Sequence, residues 1–96
     1  MLNLFGNRIK KAIQKGATIV DLRAAASFDQ GRIPGSINIP LDRIPISIRR
    51  LKEMPKPIIL CSNYSQDVDK ATRQLKAEGI TEVMNGGNWE SLLRKI

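Results

Sequence analysis

The chain has no histidine and a single cysteine, Cys61, among its 96 residues. Those two scarcities exclude an internal disulfide and remove the usual zinc and iron–sulfur ligand sets, so metal-free chemistry with no cofactor is expected. Aromatic residues number four, and none is interleaved with basic residues as a base-stacking platform would require, so no nucleic-acid partner is expected. Long apolar runs are missing too, and nothing approaches the length of a membrane span. The N-terminus has no continuous apolar stretch of the signal-peptide kind, which favours a cytoplasmic, reducing setting where Cys61 stays a thiol. Acids are the scarcer charge: nine against sixteen Lys and Arg, a formal net charge of +7. The surplus is uneven, at +4 over residues 1–16, +3 over 17–60 and zero over 61–96. It therefore lies before the cysteine, and the Arg49, Arg50 and Lys52 group reads as a solvated helix face.

What is present reads as one α/β domain, since this length supports a single core and no second. Leu2, Phe5, Ile9, Ala12 and Ile13 recur at helical spacing and predict a short basic amphipathic helix ended by Gly16. Residues 1–10 are read as an amphipathic extension leading into a domain over 11–96. Ala17 to Arg23 is too apolar to alternate, which suits a strand buried on both faces of a parallel sheet, with Asp21 and Arg23 at its end. A short helix with Phe28 inward follows, then a Pro34-Gly35 turn and a short strand, Ile37-Asn38-Ile39. Ile44, Ile48 and Leu51 share one face of a next helix, with Pro45 expected in its first turn. Ile58-Ile59-Leu60 is a second buried strand. Val68, Ala71, Thr72 and Leu75 mark a helix closed by Gly79. A strand over Glu82 to Asn85 is expected to turn at Gly86-Gly87 into a closing helix capped by Asn88, with Trp89, Leu92, Leu93 and Ile96 as its apolar stripe. Strands alternating with helices imply a small, mostly parallel sheet with helices on both faces.

The stretch from Ile58 to Asp67 carries the chemistry. Its apolar run ends on Cys61 and passes through Ser62, Asn63, Tyr64, Ser65 and Gln66 into a helix. A thiol at a strand end facing helix N–H groups is favoured to ionise, against the opposing charges of Asp67 and Asp69, so a thiol more acidic than free cysteine is expected. One of Ser62, Asn63 or Ser65 is expected to cap the helix.

The order Ile19-Val20-Asp21-Leu22-Arg23, Phe28, Gly31 to Pro40, Cys61, then Asn85-Gly86-Gly87 and Trp89 resembles a single-domain rhodanese from about Lys11 onward. The resemblance implies a rhodanese-like α/β fold and a sulfurtransferase. Cys61 would take sulfane sulfur from a small anionic donor, such as thiosulfate, polysulfide or a persulfide, and pass it to cyanide, a thiol or a protein thiol. By the same resemblance Cys61 to Gln66 form the loop that cradles the persulfide, Asp21 and Arg23 are a supporting motif, and a monomer is expected. The departures are specific. Ser62 and Gln66 stand where many active rhodaneses carry arginine, Tyr64 where they carry glycine, Asp67 where a small residue is common, and Arg32 where they carry histidine. The alternative is therefore a catalytically weak rhodanese-like binding or regulatory module. A cysteine phosphatase or arsenate reductase would need an arginine closing the loop, and the first one after Cys61 is Arg73, about two helical turns along.

Overall fold

In a computed structural model, which describes residues 4–96 and the side chains from Asn7 onward, the chain alternates helices and strands. Leu2 and the side chain of Phe5 lie outside what is described. The elements are α1 (Leu4–Gln14), β1 (Thr18–Asp21), α2 (Ala25–Gln30), β2 (Ile37–Asn38), a 3₁₀ turn (Leu41–Arg43), α3 (Ile48–Glu53), β3 (Ile58–Ser62), α4 (Ser65–Ala77), β4 (Val83–Asn88) and α5 (Trp89–Lys95). The helix α1 runs unbroken through Lys10 and Lys11 and seats Ile9 in the core.

The four strands pair in the order β2-β1-β3-β4, every pair parallel. From the centre, the chain steps from β1 outward to β2, returns to β3 on the other side of β1, and steps out again to β4. The topological switch therefore lies between β1 and β3, where open α/β sheets form a crevice at their C-terminal strand ends. The continuous apolar runs fill both faces, as a central parallel strand requires. On one face Val20, Leu22, Ile58 and Leu60 pack with Leu51 of α3 and Val68, Ala71 and Leu75 of α4. On the other, Ile19, Ile59 and Cys61 pack with Ile9 of α1, Ile33 and Leu92 of α5.

Four local expectations are corrected. Pro45 lies between the 3₁₀ turn and α3 rather than inside the helix: Ile44 and Ser47 donate to carbonyls three residues back, and the regular ladder starts with Leu51 N to Ser47 O at 2.9 Å. Lacking an N–H, Pro45 cannot carry that ladder back to Leu41. The strand β3 does not stop at Leu60 but continues through Cys61 and Ser62. Gly86-Gly87 is not a terminal turn, because β4 extends to Asn88. Leu60 pairs with Asn85 and Cys61 with Gly87, which makes Gly86 the extra residue of a bulge. A Cβ there would sit 2.9 Å from the Leu60 carbonyl oxygen, so only glycine lets the two strands approach this closely. Finally, Leu93 and Ile96 are exposed, because the two turns of α5 bury one narrow face built on Leu92. Asn88 caps α5 as expected, accepting from the backbone N–H groups of Glu90 and Ser91.

Candidate functional site

Parallel pairing sets Asp21, the last residue of β1, beside Cys61 of β3. Residues two apart on a strand share a face, so Ile19, Asp21 and Arg23 all turn toward the side covered by α1 and α5, which is also the side of the Cys61 thiol. The Asp21 carboxylate is fully buried and paired with Arg23. Arg23 Nη2 donates at 2.8 Å and Nε at 3.1 Å to both carboxylate oxygens, and the Arg23 backbone N–H adds a bond of 2.9 Å. The guanidinium also reaches the Gly31 carbonyl at 2.6 Å and lies 4.0 Å from the centre of the Trp89 ring. The Asn38 amide ties the segment together by donating to the carbonyls of Asp21 and Arg23. A buried charge pair survives in low dielectric only with its remaining donors and acceptors satisfied, and this one meets that condition.

Trp89 and Gly31 are partners that the sequence places in the apolar stripe of the closing helix and at the end of the short helix after β1. Their part in the site follows from tertiary contacts of Arg23; the sequence signals were the place of both residues in the rhodanese-like motif order and the two-residue spacing of Asp21 and Arg23 at a strand end.

Cys61 itself has no solvent exposure. It lines none of the cavities of about 470, 810 and 430 Å³ on the described surface. Its thiol is pushed up from 9.0 to about 12, chiefly by burial and then by the Asp21 charge, with Arg23 opposing. The expectation of an acidic thiol is thus reversed. The helix charge acts within its first turn, and Cys61 sits in the strand, four residues before α4 begins. The acid that bears on it is Asp21, not the Asp67 and Asp69 weighed from the sequence.

The six residues read as one loop divide between three settings. Cys61 and Ser62 belong to β3, Asn63 and Tyr64 make the connection, and Ser65 and Gln66 open α4. Alternation turns Ser62 to the opposite face from the thiol, where its hydroxyl donates to Asp67 Oδ2 at 3.2 Å. Asn63 to Gln66 are exposed, Tyr64 at 65%. No side chain caps α4: the N-cap position is Tyr64, so the expected capping by Ser62, Asn63 or Ser65 is not found. The structure therefore gathers Asp21, Arg23 and Cys61 with Trp89 nearby, and leaves the side chains of Ser62 to Gln66 outside that group.

The sequence model of the Rhodanese-like domain family matches residues 6–89. Among solved structures, reduced Bacillus anthracis CoADR-RHD is 30% identical with a TM-score of 0.68, and the match covers 94% of this chain and 16% of that one. A rhodanese with anions from E. coli is 24% identical at a TM-score of 0.68, covering 77% of this chain and 88% of that one. The human single-domain sulfurtransferase TSTD1 is 21% identical at a TM-score of 0.72, covering 94% and 93%. No curated protein matches the chain. The four-stranded parallel sheet, its covered faces and the match over most of its length agree, and the chain belongs to the rhodanese-like domain family.

Proposed function

We propose that the protein is a sulfurtransferase that carries sulfane sulfur on Cys61 and uses thiosulfate poorly. The supporting observation is the position of Cys61 at the C-terminal end of β3, beside β1 at the switch point of a rhodanese-like sheet. The Cys61 thiolate would attack the outer sulfur of the donor. A Cys61 S–S bond forms, the donor's S–S bond breaks, and its electron pair leaves with the donor residue, which is sulfite when thiosulfate is used. An acceptor thiolate then attacks the outer sulfur and Cys61 departs as thiolate. The first step needs an ionised, accessible thiol. The resting site holds it protonated and covered by the core of Ile9, Ile33, Leu92 and Trp89, so reaction requires a local opening that admits water to the thiol. Reducing conditions of a cytoplasmic kind would suit this chemistry.

The second reading, a catalytically weak binding or regulatory module, is favoured by that same burial together with Ser62 and Gln66 in the arginine positions. Turnover separates the two. With an excess of a thiol acceptor, the wild-type protein should transfer sulfur from polysulfide, more slowly from thiosulfate, and Cys61→Ser from neither. Equal background rates for wild type and Cys61→Ser would exclude transfer through Cys61 and favour the module.

A further inference from the structure

Beyond the cysteine, the connection from β2 to α3 forms a groove of about 810 Å³ whose lining includes Ile39, Leu41 and Ile46, two cations, Arg43 and Arg50, and one acid, Asp42. Ile39 is buried at its base with 2% exposure, while Ile46 stands out of it at 73%, the most exposed large hydrophobic residue among those described. Arg43 and Arg50 are exposed, neither is in an ion pair among the described residues, and against the single acid Asp42 they leave the lining net positive. The groove lies at the same end of the sheet as the candidate site, with Ile39 and Leu41 packed on the α3 and α4 side and the Cys61 thiol on the α1 and α5 side. Leu41 N donates to Leu22 O at 3.0 Å and Leu22 N to Cys61 O at 2.9 Å, so Leu41 lies two strand spacings, roughly 10 Å, from Cys61. Tyr64, the second most exposed hydrophobic residue, follows Cys61 at the same end of the sheet.

We propose that this groove docks an acidic, apolar segment of the protein whose thiol accepts sulfur from Cys61. The inference rests on the sulfurtransferase reading and names its acceptor class. A protruding apolar residue is covered by a surface, not by a small molecule in a pocket. The net positive charge left by Arg43 and Arg50 over Asp42 favours an acidic partner and raises its encounter rate. The groove's lining includes no aromatic residue on which a base could stack, which disfavours nucleic acid. An acceptor cysteine a few extended residues beyond the docked segment would reach round the C-terminal edge of the sheet to the Cys61 persulfide once the local opening exposes it. In the transfer, the acceptor thiolate attacks the outer sulfur of the Cys61 persulfide. The new S–S bond forms on the acceptor, the old one breaks, and Cys61 leaves as thiolate with its electron pair.

The test uses two cysteine-containing peptides of matched leucine content, one rich in glutamate and one with lysine in those positions. The full chain is loaded with sulfur beforehand and the persulfide quantified, so that transfer is counted per loaded cysteine. The acidic peptide should accept sulfur roughly tenfold faster than the basic one at low salt. Arg43→Glu/Arg50→Glu should abolish that preference and Ile46→Ser should weaken it, while Lys10→Glu/Lys11→Glu, an equal change in net charge on the exposed face of α1, should keep it. Equal acceptance of both peptides, or equal loss in the two charge-reversed variants, would overturn the proposal. Should Cys61 take no sulfur at all, the sulfurtransferase reading fails by itself, and fluorescence anisotropy of the same peptides then decides the docking surface. Tighter binding of a single-stranded oligonucleotide than of the acidic peptide to Arg43 and Arg50 would also overturn it.

Discussion

Cys61 combines two properties that oppose each other: a position at the mouth of the sheet and a thiol held neutral by burial and by Asp21. A reactive thiolate would have to be made on demand, not stored, because only the ionised sulfur is nucleophilic. The alkylation rate of folded protein should accordingly rise with pH toward an inflection near 12, whereas an inflection at the free-cysteine value of about 8.5 would show that backbone amides outweigh burial. Asp21→Asn, which removes the raising charge and leaves Arg23 uncompensated, should move that inflection downward, with circular dichroism confirming a folded chain. Of this residue-scale picture, the identity of the nucleophile candidate and the Asp21 and Arg23 motif were legible in the sequence. The sign of the shift was not. It depends on whether the strand stops at Leu60 or runs to Ser62, and an apolar run meeting polar residues looks the same in both cases. Ser62 is held in the strand by pairing with Asn88 of β4, a distant partner which no periodicity reports.

At the scale of elements, β3 and its two neighbours fix the site, and the Gly86 bulge shifts the β3–β4 register by one residue beyond Leu60 while pairing continues to Ser62 and Asn88. Gly86→Ala should lower stability by about 1–3 kcal/mol, read as a shift in the urea midpoint, because the added methyl meets a backbone oxygen that cannot rotate away. An unchanged midpoint would mean that β4 moves freely at this point. Gln66, exposed in the first turn of α4, stands where the family pattern often has a cation for the donor. A charged hydrogen bond contributes about 1.5–3 kcal/mol against about 1 for a neutral one, so Gln66→Arg should lower the apparent KM for thiosulfate roughly tenfold. The same change places positive charge at a helix N-terminus and should cost about 0.3–1 kcal/mol of stability. Steady-state kinetics at low and moderate salt would check the first effect, and an unaltered KM would show that the cation is not what thiosulfate lacks here. The buried strands, the α4 periodicity and the Asn88 cap could all be read from the chain because their signals are local. The bulge could not, since Gly-Gly is a turn signal wherever it stands and only the partner strand distinguishes the two.

For the whole molecule, the parallel order β2-β1-β3-β4 brings three connections to one end: the segment after β1 with Arg23, the Arg43 to Arg50 groove after β2, and the Asn63 to Gln66 segment after β3. The parallel sheet was legible from the alternation of apolar runs with helical periods, and the positive surplus was visible as a number. Where that surplus stood relative to Cys61 required the fold. The raised thiol also ties global stability to pH. Below about pH 9 the thiol is protonated in both folded and unfolded chains, so its contribution is fully present. Above it the unfolded chain ionises first, and stability is lost by up to about 1.4 kcal/mol per pH unit until the folded value near 12 is reached. Between about pH 9 and pH 11 wild type should therefore lose stability more steeply than Cys61→Ser, in which no thiol titrates; parallel curves would contradict the buried, neutral thiol. The claim on which the functional account depends is that Cys61 accepts sulfur. Intact-protein mass after incubation with polysulfide measures it directly: one added sulfur per chain in wild type, removed by a thiol acceptor, and none in a folded Cys61→Ser. A wild-type chain that returns unmodified under the same conditions, or a Cys61→Ser chain that gains the same mass, would contradict it.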